Sequence, residues 1–290
     1  MLPDDFCIFI LTHKRPDNQI TLETLRRGNY SGKVYLVVDD LDPTLPEYQR
    51  LYGDQVLTFS KQELSKRIDS ADNFKELKGV FYARNACYDL AQELGISEFL
   101  QLDDDYEAFR YRFKADLDYC TATKKVKSLD KMLASLLTFY KGNPILSQPI
   151  SILALAQGGD FIGGSQASFS SAIKCKRKVM NSLFCSVNRR VSWLGRINED
   201  TTTYVLGGIR GDLMLTINQV DISQVDTQVN SGGMTGLYLD NGTYVKSFYS
   251  VLFAPSCVAV TEMNSQYKRL HHQINWNNCA TKVLREKYKK

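Results

Sequence analysis

The stretch Ser97-Glu98-Phe99-Leu100-Gln101-Leu102-Asp103-Asp104-Asp105-Tyr106 decides the fold of this chain. Residues 99–102 have the length and apolar character of a buried strand, and nothing in them would anchor a long helix. The strand ends in three consecutive carboxylates, which repel one another unless a cation or a solvated turn offsets the repulsion. Because side chains alternate along a strand, we expect Asp103 and Asp105 on one side and Asp104 on the other.

Two interpretations of the three aspartates are open. Two hard oxygen ligands on one side of a strand end suit Mg²⁺ or Mn²⁺, with the other positions left to water and a substrate diphosphate. The alternative is a solvated acidic turn without a metal. Ligands of α/β proteins bind beyond the carboxyl ends of the strands, and this placement favours the metal site.

Strands and helices alternate along the first part of the chain. Apolar runs predict strands at 6–11, 33–38 and 55–59, and helical spacing predicts helices at 17–27 and 80–94, the second ended by Gly95. This order predicts an α/β fold with a mostly parallel central sheet flanked by helices. The later predictions are strands at 107–114, 149–156 and 214–220, helices at 129–140, 201–206, 245–252 and 277–290, loops at 157–164 and 229–239, and a polar connector with Lys124, Lys125 and Lys127.

Composition is that of an ordinary globular protein, with 43% hydrophobic and 23% charged residues among 290. The net charge of +4 is compatible with a polyanionic partner but does not require one. Seven scattered cysteines without a Cys-x-x-Cys pair argue against a disulfide framework and a zinc site. With no signal-peptide pattern and no run of membrane-spanning length, we predict a cytoplasmic, single-domain protein without a membrane partner.

Arg84 occupies an inward position on the apolar stripe of the helix at 80–94. A buried guanidinium needs an anion, because leaving it unpaired would be very unfavourable. Its partner is either a strand-end acid in a structural salt bridge, or a diphosphate or metal-binding acids that Arg84 clamps.

The remaining candidates are three histidines and a second carboxylate pair. His13 lies in the first loop, and a late histidine, His271 or His272, could supply a neutral imidazole to a metal. A displacement also needs a base for the acceptor hydroxyl, which Glu199-Asp200 could supply from the face opposite the leaving group, giving inversion. A role at a helix N-terminus is equally consistent with this pair.

Together these features resemble a GT-A nucleotide-sugar glycosyltransferase. They are a strand followed by Thr-His-Lys-Arg-Pro, a strand followed by Asp-Asp, Ala-Arg-Asn on a helix, the stretch 99–105, a Gly-Gly-Asp loop and a later Asn-Glu-Asp. More closely, the chain resembles the DNA glycosyltransferases associated with TET/JBP oxygenases, which include the base J glucosyltransferase and bacteriophage relatives. The resemblance covers most of residues 6–215.

The resemblance implies a role for each matching residue. Asp200 is the implied catalytic base, with Glu199 as its rival. The implied donor-binding residues are Thr12, Arg15, Asp39, Asp40, Arg84, Asn85, Asp103, Asp104, Gly158, Gly159 and Asp160. The implied metal ligands are Asp103, Asp105 and one of His271 and His272. A nucleotide-sugar half is expected at about 1–110 and an acceptor half at about 111–290.

The implied reaction is an inverting, Mn²⁺- or Mg²⁺-dependent transfer of glucose from UDP-glucose to the hydroxymethyl group of a 5-hydroxymethylpyrimidine, cytosine or uracil, in DNA. Duplex DNA would require flipping of the target nucleotide, with Lys and Arg from 110–127 and 174–190 on phosphates. A phage protein of this kind would act in the bacterial cytoplasm. The alternatives are a GT-A enzyme with a protein or glycan acceptor, and an inactive relative that only binds nucleic acid. A metal-dependent nucleotidyltransferase would leave Glu199-Asp200 unexplained.

Overall fold

The structure is a computed structural model that describes residues 2–114, 116, 119–142, 149–158, 173–180, 182–225, 245–263 and 269–280. In the first part, strands and helices alternate as predicted. The elements are β1 (Phe6–Leu11), α1 (Ile20–Arg27), β2 (Lys33–Asp39), α2 (Leu45–Tyr52), β3 (Val56–Phe59), α3 (Lys61–Ser65), α4 (Phe81–Glu93) and β4 (Glu98–Asp103).

The second part is less regular. Its elements are β5 (Tyr106–Phe113), β6 (Tyr119–Lys125), α5 (Leu129–Lys141), β7 (Ile150–Gln157), β8 (Ile173–Lys174), β9 (Leu183–Ser186), α6 (Glu199–Arg210), β10 (Leu213–Gln224), α7 (Lys246–Phe253), β11 (Val258–Met263), β12 (Arg269–Ile274) and α8 (Trp276–Cys279).

One mixed sheet runs through the molecule in the order β3-β2-β1-β4-β9-β7-β10-β5-β6, with β8 beside β10. The strands β3, β2, β1 and β4 are parallel, and β9 runs antiparallel to both β4 and β7. The predicted α/β class is confirmed, with the Rossmann-like half and the less regular C-terminal part expected of a GT-A domain. Strands β11 and β12 form a separate antiparallel hairpin.

The sheet is buried on both faces, which explains its continuous apolar strands. Ile8 and Ile10 of β1 pack on one face with α1, α2 and α5, while Cys7 and Phe9 pack on the other with α3 and α4. In the register of β1 with β4, Leu11 pairs with Asp103, so the first loop begins beside the strand-end acids.

The sheet also curls back on itself at the three aspartates. Only Asp104 and Asp105 join β4 to β5, although β9, β7 and β10 lie between these strands in the sheet. A register shift between Ile217 and Asp221 bends β10, which indicates an irregularity of the β-bulge type. As a result Gln224, at the end of β10, pairs with Tyr106 directly after the acids.

Several predictions for individual elements were wrong. Lys124 and Lys125 belong to β6 rather than to a polar connector, and α1 begins at Ile20 instead of residue 17. Gln157 is the last residue of β7 instead of the first residue of a loop. Helix α2 and the hairpin β11–β12 were not predicted. The predicted tail helix is helical only as far as Cys279 within the described chain; residues 281–290 and the loop at 229–239 lie outside it. No helix in these ranges has the length and apolar character needed to cross a bilayer.

Candidate active site

Arg84 of α4 links the end of β4 to the start of α6. Its side chain is 2% exposed, Nη2 lies 3.4 Å from Asp103 Oδ1, and Nε lies 3.3 Å from Glu199 Oε1. The guanidinium also lies over the Trp193 ring, 5.4 Å from its centroid. The inward position predicted for Arg84 is confirmed, and its partner on β4 is a strand-end acid.

Asp103 and Asp105 lie in a crowded acidic environment. Burial, with repulsion from the other two aspartates, raises the pKa of Asp103 to about 7, although Arg84 opposes the shift. Burial also raises the pKa of Asp105. Gln224 Nε2 donates to Asp105 Oδ2 at 3.2 Å, while Asp105 Oδ1 is buried without a hydrogen-bond partner. A cation at these carboxylates would relieve both the repulsion and the missing hydrogen bond.

Asp104 turns toward the first loop instead. It accepts hydrogen bonds from Thr12 Oγ1 and Arg15 Nη1, both at 2.7 Å. The Tyr48 hydroxyl bonds Thr12 Oγ1 at 2.7 Å and accepts from the Arg15 backbone N–H at 2.9 Å. Thr12, Arg15 and Asp104, three predicted donor-binding residues, therefore hold one another in a buried network that fixes the loop after β1.

The end of β2 carries a second polar cluster. Asp39 Oδ2 lies 2.9 Å from both His13 Nδ1 and Lys61 Nζ, and His13 Nδ1 lies 3.2 Å from Asp42 Oδ2. Burial alone would raise the pKa of Asp39, but the bonds to His13 and Lys61 outweigh it and hold the pKa at about 2. Asp40 accepts a hydrogen bond from the Lys61 backbone N–H.

The ligand atoms of His13, Asp39 and Asp42 lie within 4.8 Å of one another, so this group could hold a metal ion. Its carboxylates already have donors, because Lys61 pairs with Asp39 and the Lys14 backbone N–H donates to Asp42 at 2.7 Å. Sequence analysis missed Asp42 and Lys61. Both are polar residues just beyond the strand ends β2 and β3, and that position was the available signal.

Glu199 and Asp200 begin α6 and have different partners. Glu199 faces Arg84, and burial raises its pKa despite this pairing. Asp200 Oδ2 lies 2.5 Å from Lys178 Nζ. Burial alone would raise the pKa of Asp200, but Lys178 and the Thr201 backbone N–H outweigh it and lower the pKa. The pKa values of these two adjacent carboxylates are therefore shifted in opposite directions, upward for Glu199 and downward for Asp200.

His271 and His272 lie side by side on β12. His272 Nδ1 is 3.2 Å from the Asn198 side-chain amide, directly before α6, and burial lowers the pKa of His272 to about 4. His271 Nδ1 donates to the His272 backbone carbonyl at 2.7 Å. Over the described ranges, no group of three His, Cys, Asp or Glu ligand atoms within 4.8 Å combines either histidine with Asp103 or Asp105.

The other predicted donor-binding residues are placed as follows. Asn85 is 3% exposed; its amide donates to the Phe81 and Trp193 carbonyls at 2.8 Å and accepts from the Trp193 N–H, so it holds Trp193 beside Arg84. Gly158 follows β7 directly, whereas Gly159 and Asp160 lie outside the described residues.

The basic residues predicted to contact DNA phosphates divide into two kinds. Several are engaged within the protein: Arg112 pairs with Asp221, Lys178 with Asp200, and Arg190 with Asp89. Lys124, Lys125, Lys127 and Lys176 are exposed. Lys114, directly after β5, is exposed as well, so the exposed lysines of the predicted ranges lie at the end of β5, on β6, on the connector after it and at position 176.

Comparison with known proteins gives one family. A family model described as TET-Associated Glycosyltransferase matches residues 6–233. No curated protein matches the chain.

Three solved structures show similar folds at low identity. One is glucosyl-3-phosphoglycerate synthase from Mycobacterium tuberculosis with Mn²⁺, UDP and phosphoglyceric acid (7% identity, 93% of this chain and 86% of that chain, TM-score 0.46). Another is S. aureus TarS 1–349 with UDP (11%, 75% and 60%, 0.44). The third is the mannosyltransferase PcManGT from Pyrobaculum calidifontis with GDP-Man and Mn²⁺ (11%, 78% and 58%, 0.42). Likeness at this level bears on neither substrate nor mechanism.

Proposed function

The chain belongs to the TET-associated glycosyltransferase family, and from this premise we propose that it transfers glucose from UDP-glucose to the hydroxymethyl group of a 5-hydroxymethylpyrimidine in DNA. The transfer is a single displacement with inversion. The observation that carries the proposal is the buried Arg84, which contacts the strand-end acid Asp103 and the helix-start acid Glu199 at 3.4 and 3.3 Å. The Arg84 guanidinium therefore contacts both Asp103, which we assign to the donor side, and Glu199, which we assign to the acceptor side.

The donor nucleotide is assigned to the ends of β1 and β2. Thr12 and Arg15 are fixed by Asp104, and Asp39 is fixed by Lys61, so these groups are ordered before a ligand arrives. Such preorganisation lowers the entropic cost of binding. Arg84 is the proposed contact for the diphosphate, since an arginine fork suits phosphate oxygens.

The residues present fit a divalent cation at Asp103 and Asp105. The unpartnered Oδ1 of Asp105 and the raised pKa of Asp103 both support a cation there, and carboxylate oxygens suit Mn²⁺ or Mg²⁺. The ion would neutralise charge on the UDP leaving group. Neither His271 nor His272, the further ligands that the resemblance implies, is grouped with Asp103 or Asp105 in the described ranges, so the proposed site rests on the two aspartates. The group at His13 is the weaker candidate, because both oxygens of Asp39 and of Asp42 already have donors, whereas Oδ1 of Asp105 has none.

Asp200 is the proposed base that takes the proton from the acceptor hydroxyl. The ion pair with Lys178 keeps the Asp200 carboxylate ionised at neutral pH. The neighbouring Glu199 forms an ion pair with Arg84 instead. The rival assignment exchanges these roles, because the raised pKa of Glu199 would make it the stronger base. The assignment to Asp200 and the assignment to Glu199 predict different pH dependences of kcat.

The DNA acceptor is supported by the family and by the exposed lysines, and a protein or glycan acceptor is the alternative. The test is incubation with Mn²⁺, UDP-glucose and DNA that contains 5-hydroxymethylcytosine or 5-hydroxymethyluracil. Digestion to nucleosides and mass spectrometry follow. A gain of one hexose on the modified base is expected. Release of UDP without a DNA product would contradict the acceptor, and DNA retention without any turnover would indicate an inactive relative.

A further inference from the structure

A groove of about 630 Å³ lies at the C-terminal hairpin, and no function has yet been assigned to it. Its walls are the turn before β11, the end of β12 and helix α8. The residues that matter for its chemistry are Lys176, Gln273, Asn275, Trp276 and Asn277. The volume lies in the range of small-ligand sites and would hold a nucleotide-sized group.

Trp276 provides a fixed aromatic surface in this groove. Its ring packs edge-on against Tyr204 of α6, with centroids 5.3 Å apart and planes at 84°. The Asn275 side chain accepts from the Asn277 N–H and caps the short helix that carries Trp276. The ring remains partly exposed. A rigid, partly exposed indole is a surface on which a nucleobase can stack without loss of side-chain freedom.

The rim of the groove is basic and amide-rich. None of the eleven lining residues is acidic, and the one charged residue is Lys176, whose Nζ donates to Asn277 Oδ1 at 2.7 Å. Gln273, Asn275 and Asn277 add groups that both donate and accept hydrogen bonds. This combination is complementary to a phosphodiester strand with its bases, whereas an acidic peptide would leave the indole and the acceptor groups without a role.

Trp276, which lines the groove, packs on α6, the helix that carries the proposed base near its start. Asp200 and Tyr204 are four residues apart on α6 and so share one face. Lys178 pairs with Asp200, while Lys176, two residues earlier, lines the groove, and Trp276 covers Tyr204. At about 1.5 Å per residue, four residues span about 6 Å of α6, so Trp276 contacts this helix about one turn from Asp200.

We propose that this groove binds the acceptor DNA strand next to the reacting nucleotide, with one base stacked on Trp276 and a phosphate at Lys176. The inference rests on the proposed function, since it requires a DNA acceptor. It adds a strand-binding subsite formed by the C-terminal hairpin, β12 and α8, beyond the residues that hold the donor.

The test measures binding of a fluorescein-labelled oligonucleotide with one 5-hydroxymethylcytosine, by anisotropy over a range of salt concentrations, for four variants. Trp276→Ala is expected to raise the Kd about tenfold without changing the salt slope, because stacking is uncharged. Lys176→Gln is expected to lower the slope of log K against log salt by about 1. The matched controls are Phe139→Ala and Lys131→Gln on α5, across the sheet, which should bind like wild type.

Each outcome of these measurements either supports the strand-binding groove or overturns it. A fifth variant, Trp276→Phe, should recover part of the affinity, which separates stacking from misfolding, and UDP affinity should be unchanged in all five variants. Wild-type binding by both groove variants would overturn the inference while the proposed function stands. Equal competition by polyglutamate would reduce the groove to a charged surface and overturn the stacking role. Absence of wild-type binding and modification of DNA would remove the proposed function, and the inference with it.

Discussion

The Nε atom of Arg84 lies 3.3 Å from Oε1 of Glu199, although 115 residues separate them in the sequence. The same guanidinium reaches Asp103 through Nη2. The buried guanidinium of Arg84 on α4 therefore contacts both the end of β4 and the start of α6.

Replacing Arg84 by Met should destabilise the protein by about 3–5 kcal/mol, because two buried carboxylates lose their shared cation. Urea unfolding measures the difference. Arg67→Gln is the control, since Arg67 forms an exposed pair with Asp89 and its loss should cost about 1 kcal/mol or less. If both variants lose the same small amount of unfolding free energy, the Arg84 contacts do not stabilise the protein more than an exposed ion pair does.

Asp105→Asn should abolish turnover and remove the stabilisation that Mn²⁺ with UDP gives in thermal unfolding, because one of the two proposed oxygen ligands is neutralised. Asp42→Asn is the second variant, and it distinguishes between the two candidate metal sites. If the ion instead binds at His13, Asp39 and Asp42, the Asp42 variant will lose the Mn²⁺ response and the Asp105 variant will keep it.

Asp200→Asn should lower kcat by about 10²–10⁴-fold with the fold intact, the range expected for loss of a positioned base. Lys178→Gln tests the same assignment through pH. Lys178 lowers the pKa of Asp200, so its removal should move the acidic limb of the kcat profile to higher pH. An unchanged limb in Lys178→Gln, together with inactivation by Glu199→Gln, would transfer the role to Glu199.

Asp103 makes the metal-free protein sensitive to pH. Its pKa is about 7 in the folded state against 3.8 for an unperturbed aspartate, so the folded state binds the extra proton between these values. This proton stabilises the fold as the pH falls from about 7 towards 4, and the stabilisation is lost as the pH rises through 7. Asp103→Asn should therefore be more stable than wild type at pH 8, and the difference should shrink towards pH 4. A difference in unfolding free energy that is independent of pH would contradict the shift.

The local pattern of the sequence was enough for much of the donor half. Apolar runs of strand length placed β1, β2 and β4, and a helical stripe placed α4 with Arg84 facing inward. These predictions succeeded because strand alternation and helix periodicity are properties of consecutive residues. Strand β6 was missed because its lysines and threonines read as a connector, and the hairpin with His271 and His272 lacks a clear apolar alternation.

What the sequence by itself determined is the set of acids, with Asp39 and the three aspartates at strand ends and the pair at 199–200 at the start of a helix. Only the tertiary structure decided which partner each acid has. Lys61 reaches Asp39, Gln224 reaches Asp105 and Lys178 reaches Asp200 from distant parts of the chain. The physical reason is that these contacts depend on which strands and loops lie side by side in the fold. The Lys61–Asp39 contact follows from the pairing of β2 with β3, and the Gln224–Asp105 contact from the pairing of β10 with β5. Periodic patterns of consecutive residues do not encode such neighbours.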